Sequence, residues 1–372
     1  MYSKYIAEGR GMKVALIHDF LTQYGGAEKV LECFHKIWPT APIFTLFYDQ
    51  EAMRDKFIDC DIRVSPIQNL PFGVKKYRWY LPLMPSAVER FNLKNFDLVI
   101  SDCSAYAKGV ITQPGTCHFS YIHTPTRYLW SDAHNYLDSL KGGEKIASKI
   151  IAPLLNRLRI WDYLAAQRPN ALIANSKFVA QRIKHYYHRE STVIYPPVET
   201  DKFKISEKID KYFLVVSRLR PYKRVDLAVQ AFNHLKIPLK IIGGGESRIL
   251  KKMAGPHIEF LGILSNQKRA DYMSRCQALI FPQEEDFGIT AVEAMASGRP
   301  VIAYQAGGAL EIIKENKTGQ FFKEQTWESL AEAVVKFKIE NFNSNKIREH
   351  ALQFNQERFK EEIKSFVQNY KP

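Results

Sequence analysis

The hydrophobic pattern of this chain switches repeatedly between two periods. Short, almost unbroken apolar runs read as buried strands: VALIH (14–18), FDLVIS (96–101), HFSYIH (118–123), ALIAN (171–175) and STVIYPP (191–197). Between them, AEKVLECFHKIW (27–38) and KFVAQRIKHYY (177–187) space their apolar residues as amphipathic helices do. The series restarts after YPPVETDKF (195–203), with YFLVVS (212–217), VDLAVQAFNHL (225–235), LKIIG (239–243) and HIEFLG (257–262). QKRADYMSRC (267–276), ALIFP (278–282), a helix over 288–296, VIAY (301–304) and SLAEAVVKFK (329–338) complete it. Continuous apolar strands alternating with helices predict parallel sheets covered on both faces. The expected fold class is therefore α/β, with two doubly wound parallel-sheet domains facing across a cleft. The boundaries are 1–197 and 204–355, with 195–203 as a linker and hinge. A last helix, about 356–372, aligns Phe359, Ile363, Phe366 and Val367 on one face and is expected to pack back on the first domain.

Composition narrows the class. A chain of 372 residues, 46% hydrophobic and 25% charged, has the make-up of a two-domain globular protein. Its first ten residues, MYSKYIAEGR, are too polar for a signal peptide, and Met12 offers a second natural start. No apolar run approaches the roughly 20 residues that span a bilayer. The expected location is cytoplasmic, or peripheral on the inner face of the plasma membrane. The five cysteines are scattered and none falls in C-x-x-C spacing, so reduced thiols are expected rather than a zinc site or disulfide framework.

The net charge of +14 implies a polyanionic partner. Dispersed basic residues and the lack of any nucleic-acid motif argue against DNA or RNA. Two stretches, 72–94 and 140–163, mix Lys and Arg with Trp, Tyr, Leu and Ile. Each reads either as a contact with an anionic membrane surface or as a solvated helix face beside the core.

Ligands of open parallel sheets sit beyond the carboxyl ends of the strands, so the loops there are the candidates. In HDFLTQYGGAEKV, Gly25 and Gly26 precede a helix, which suits either close approach to an anion or a simple tight turn. No G-x-G-x-x-G or Walker sequence is present, which disfavours a dinucleotide or P-loop site. SRLRPYKRVD (217–226) offers Arg218 and Lys223 at a strand end, cations suited to a diphosphate, although in isolation it is a solvated basic loop. GGG at 243–245 gives a flexible turn near the same edge. In EEDFGITAVEAMASGRP (284–300), the helix opening at Gly288, Ile289 and Thr290 points free amides at an anion. Acids before a helix start explain Glu284 and Asp286; Glu293 lies too far along the helix for that account, and Glu285 stands beside the anion. His123 and Arg127 follow the strand HFSYIH, and a strand-end position favours function for a histidine that is otherwise structural. Asp59 and Asp61 of IDCDI form a D-x-D, one face of a strand if it is one; with cationic loops available, no metal is expected.

Together YGGAEKV, ANSKFVAQRI, VIYPPVETDKF, SRLRPYKRVD and FPQEEDFGITAVEAMASGRPVIAYQAGGALEII resemble the retaining nucleotide-sugar glycosyltransferases of family 4, with two Rossmann-like domains in the GT-B architecture. Glu285 and Glu293, separated by seven residues, match that family's E-x7-E pair. The resemblance implies that Glu285 contacts the donor sugar and Glu293 holds the ribose hydroxyls. It implies that Arg218 and Lys223, with the helix start at Gly288, Ile289 and Thr290, neutralise the diphosphate. Gly26 would approach phosphate or sugar, and His123 would lie near the transferred sugar. YIHTPTRYLW and SDCSAYAKGV look most like mannosyltransferases of bacterial surface-polysaccharide assembly, implying GDP-mannose as donor and a saccharide or polyprenyl-diphosphate-linked acceptor. No cofactor or metal is expected. The alternatives are a UDP-sugar donor or a sugar-nucleotide epimerase of the same architecture. GGGE replaces the acid and proline often found in the family's corresponding turn.

Overall fold

A computed structural model describes residues 11–53, 56–133 and 145–370. The expectations placed on residues 1–10, 140–144 and 371–372 lie outside the described residues. The chain divides into two compact units, Met1–Tyr195 with Lys360–Pro372, and Pro196–Phe359.

The first unit is built on a seven-stranded sheet. Its strands are β1 (Val14–Leu21), β2 (Ile43–Tyr48), β3 (Ile62–Val64), β4 (Leu98–Cys103), β5 (Cys117–Ile122), β6 (Ala171–Ala174) and β7 (Thr192–Val193). All neighbours are parallel, in the order β3-β2-β1-β4-β5-β6-β7. β1 and β4 are buried almost throughout, as strands covered on both faces must be. Helices α1 (Gly26–Ile37), α2 (Lys145–Ala165) and α3 (Lys177–Tyr187) belong to this unit. Ser176 caps α3, its hydroxyl accepting from Val179 N at 3.0 Å.

The second unit holds a six-stranded sheet of β8 (Phe213–Val216), β9 (Leu239–Ile242), β10 (Ile258–Gly262), β11 (Leu279–Phe281), β12 (Val301–Tyr304) and β13 (Gly319–Phe322). These too are all parallel, in the order β10-β9-β8-β11-β12-β13. The helices used below are α4 (Val225–Leu235), α5 (Asn266–Arg275), α6 (Ile289–Ala296), α7 (Trp327–Lys336) and α8 (Ser344–Leu352). α6 buries Ala291, Val292, Ala294, Met295 and Ala296, a mostly small set that lets neighbours pack close. The closing helix α9 (Gln356–Asn369) buries Phe359, Ile363 and Val367. In the first unit the Phe366 ring on α9 meets Phe119 edge-on at 5.2 Å.

The expected α/β class with two parallel sheets is what the chain adopts. Strands β2 and β13 are additions to the sequence series, and β7 is only two residues long where STVIYPP predicts a longer run. IDCDI is not a continuous strand: Asp59 lies in a turn and β3 begins at Ile62. Asp61 instead accepts from Arg63, at 2.7 Å from Nη2 and 3.0 Å from Nε. In each sheet the strand order reverses beside the first strand, between β1 and β4 and between β8 and β11. Loops that leave neighbouring strands in opposite directions open a crevice at such switch points.

Candidate functional site

In the second unit the switch point joins two of the loops singled out above. After β8, Pro221–Lys223 form one 3-10 turn, and Arg224 adopts a left-handed φ of 49° to start α4. After β11 comes the loop carrying Glu285. Lys223 Nζ donates to Glu285 Oε1, with the two side chains 15% and 19% exposed. Gln283 Nε2 donates to the same oxygen at 3.3 Å. Arg218, on the same loop as Lys223, is exposed.

The loop carrying Glu285 rests on a glycine pair that the sequence reading did not single out. Gly308 N donates to the Glu285 carbonyl at 2.8 Å. Gly307 has a φ of 61°, and a Cβ there would stand 2.5 Å from Glu285 O. Adjacent glycines two residues beyond the strand VIAY are the signal that points to them. GGG at 243–245 is also a matter of close approach rather than flexibility. A Cβ on Gly243 would overlap Ser217 O, and Leu219 N donates to Gly244 O at 2.8 Å. The triplet thus braces the loop that carries Arg218 and Lys223.

Gly288 (φ 109°) caps α6, a conformation glycine adopts without Cβ strain. The first intrahelical bonds run from Ala291 N and Val292 N to Gly288 O, at 3.0 and 3.3 Å. The Ile289 and Thr290 amides precede these bonds, at the positive end of the helix. Glu293, one turn further, is 1% exposed and is held by Arg269 of α5, with Nη1–Oε2 at 2.6 Å and Nη2–Oε1 at 3.2 Å. Arg269 lies 24 residues before its partner in an unremarkable polar helix, and no local pattern marks it.

In the first unit Gly26 and His123 are linked through buried ionisable groups. Gly25 N donates to Glu28 Oε2 at 2.7 Å, closing the turn that starts α1 at Gly26. Glu28 Oε1 lies 3.7 Å from His18 Nε2, and His18 Nδ1 lies 2.9 Å from Asp102 Oδ2. Asp102 Oδ1 in turn binds His123 Nε2 at 2.6 Å. Sheet register sets up the middle of this chain, because His18 on β1 and Asp102 on β4 are direct partners. Burial alone would depress the His18 imidazolium, but hydrogen bonds and charge from Asp102 and Glu28 push its pKa up to about 10. Burial opposes ionisation of Asp102, yet His123 and His18 hold it below the usual carboxylate range. Asp19 fixes the loop after β4, accepting from the amides of Ser104, Ala105, Tyr106 and Ala107 at 2.6–2.8 Å. Among the described residues, no helix is long and apolar enough to cross a membrane.

Comparison with known proteins agrees with this architecture. Residues 41–202 match the family described as Glycosyltransferase Family 4, and residues 198–369 match Glycosyl transferases group 1. The two parallel-sheet α/β units match the GT-B glycosyltransferase fold. An uncharacterized glycosyltransferase of Methanocaldococcus jannaschii is 29% identical over 50% of this chain and 53% of its own length. The alpha-1,3/1,6-mannosyltransferase of Homo sapiens is 30% identical over 45% of this chain and 50% of its own. O-antigen chain mannosyltransferase C of Escherichia coli is 27% identical over 58% and 62%. The chain spans about half the length of the first curated relatives it matches. Among solved structures, Anabaena HepE in complex with UDP and glucose has a TM-score of 0.71 at 19% identity, covering 97% of this chain and 100% of its own.

Proposed function

We propose that this protein is a retaining glycosyltransferase that moves mannose from GDP-mannose to a saccharide or polyprenyl-diphosphate-linked acceptor in polysaccharide assembly. The observation that carries the reading is the Lys223–Glu285 pair at the switch point of the second sheet, in the loop that opens α6. A mobile ammonium beside a helix N-terminus suits a diphosphate, and a carboxylate next to both suits the sugar attached to it. The relatives named as mannosyltransferases support mannose as the transferred sugar.

In this reading Arg218, Lys223 and the amides of Ile289 and Thr290 take up the charge that develops as the diphosphate leaves. Glu285 contacts the sugar, Glu293 the ribose, and Gly26 and His123 are the sugar- or phosphate-contacting groups of the first unit. No metal is required. The sugar C1–phosphate oxygen bond breaks as the acceptor oxygen bonds C1 on the same face, and the acceptor proton passes to the leaving phosphate oxygen. Retention by two carboxyls, as in hydrolases, needs a nucleophile and an acid about 5–5.5 Å apart; Glu293, committed to Arg269, does not serve as that acid.

Membrane-surface attachment belongs to the same reading. Residues 72–94 include one 3-10 helix, Tyr77–Leu83, and a short helix, Met84–Glu89, with Phe72, Trp79 and Leu83 exposed and Lys76 Nζ 4.0 Å from the Trp79 ring centroid. Incubation with GDP-mannose alone and with candidate acceptors tests the function. Acceptor-dependent release of GDP is expected. Conversion of the nucleotide sugar with no acceptor present would favour an epimerase instead.

A further inference from the structure

We infer that Arg269 is a positioning residue that presents the Glu293 carboxylate to the ribose diol of the nucleotide donor. The inference rests on the donor reading of Glu293 given above. Glu293 is 1% exposed, and an ionised carboxylate is acceptor-only, able to take a hydroxyl hydrogen bond on each oxygen. Isolated in this setting its charge would be costly; the Arg269 guanidinium compensates it.

The fork contacts both oxygens, at 2.6 and 3.2 Å, and so fixes the plane of the carboxylate as well as its charge. A carboxylate has about four acceptor sites, and the fork takes one on each oxygen. Arg269 itself is held over the Phe203 ring, 5.7 Å from the centroid. Its Nε is buried with no hydrogen-bond partner among the described residues. The guanidinium is thus oriented for Glu293 rather than for its own full satisfaction. Buried ion pairs contribute little net stability over apolar replacements, which points to a role other than joining α5 to α6.

The test is calorimetric binding of GDP and UDP, each beside its 2′,3′-dideoxy form, to the full chain. The unaltered protein is expected to bind its preferred ribonucleotide roughly 30- to 100-fold more tightly than the dideoxy form, since hydrogen bonds to a charged group are at stake. Arg269→Met should bring that ratio to within about 3-fold while affinity for the dideoxy form stays unchanged. Arg269→Lys, which keeps the charge but not the fork, should give an intermediate ratio and replaces the methionine variant if that one does not melt cooperatively. Full discrimination in either folded variant, or equal weakening of both nucleotides, would overturn the inference alone. Failure of the unaltered chain to bind any nucleotide would overturn the donor reading and the inference with it.

Discussion

The two switch points handle charge in opposite ways. In the first unit His18, Asp102 and Glu28 are all at most 5% exposed, and each is committed to a neighbour within the unit. In the second unit Lys223 and Glu285 remain partly open, and the helix amides beside them precede any intrahelical bond. The same sheet topology thus supports a buried ionic chain in one unit and a partly exposed ion pair between two loops in the other. In these two clusters, the buried charges of the first unit bear on stability, whereas Lys223 and Glu285 keep part of their surface open.

Asp102→Asn is the most severe way to break this contrast. A neutral amide leaves the buried His18 imidazolium with Glu28 alone, and loss of one partner of a buried pair costs about 3–5 kcal/mol. Urea unfolding should show that loss as a lower midpoint; a midpoint near that of the unaltered protein would mean the chain is not load-sharing. Lys223→Ala should act on chemistry instead. Turnover at saturating donor is expected to fall roughly 100- to 1,000-fold, with melting nearly unchanged.

Titration of His18 sharpens the first half of the comparison. Its folded pKa, about 10, lies above the ordinary value of 6.5, so the stabilisation is complete below pH 6.5 and disappears as pH rises through 10. The stability gap between the unaltered protein and His18→Gln should therefore be about 2–3 kcal/mol larger at pH 6 than at pH 9. A gap that does not change with pH would contradict the assignment. The smallest effect is expected from Glu293→Ala, a roughly 30- to 100-fold loss of donor affinity with turnover at saturation little altered, measured by calorimetry and initial rates.

Much of the fold was legible because period and punctuation are local. VALIH, YFLVVS and ALIFP read directly as β1, β8 and β11, and Gly288 marks the start of α6. Strand β13 (GQFF) was not, since four residues opening on glycine make no recognisable apolar run. IDCDI shows that alternation alone does not make a strand, since only its last residue, Ile62, lies in β3. Of the candidate sites, the positions of Lys223 and Glu285 follow from strand-end loops, but their pairing depends on which strands are neighbours. Arg269 with Glu293, and His18 with Asp102, are contacts across 24 and 84 residues and have no signature in either segment.

Thermal melting of the full chain against GDP-mannose and against UDP-, ADP- and CMP-sugars is the most direct measurement. A ligand that binds only the native state stabilises by about 2.7 kcal/mol at 100 times its Kd, which moves the melting temperature by several degrees. GDP-mannose should produce that shift in the unaltered protein, the other donors should not, and Lys223→Ala should reduce it. A shift from a UDP-sugar and none from GDP-mannose would contradict the donor assignment, and no shift from any nucleotide sugar would contradict the account as a whole.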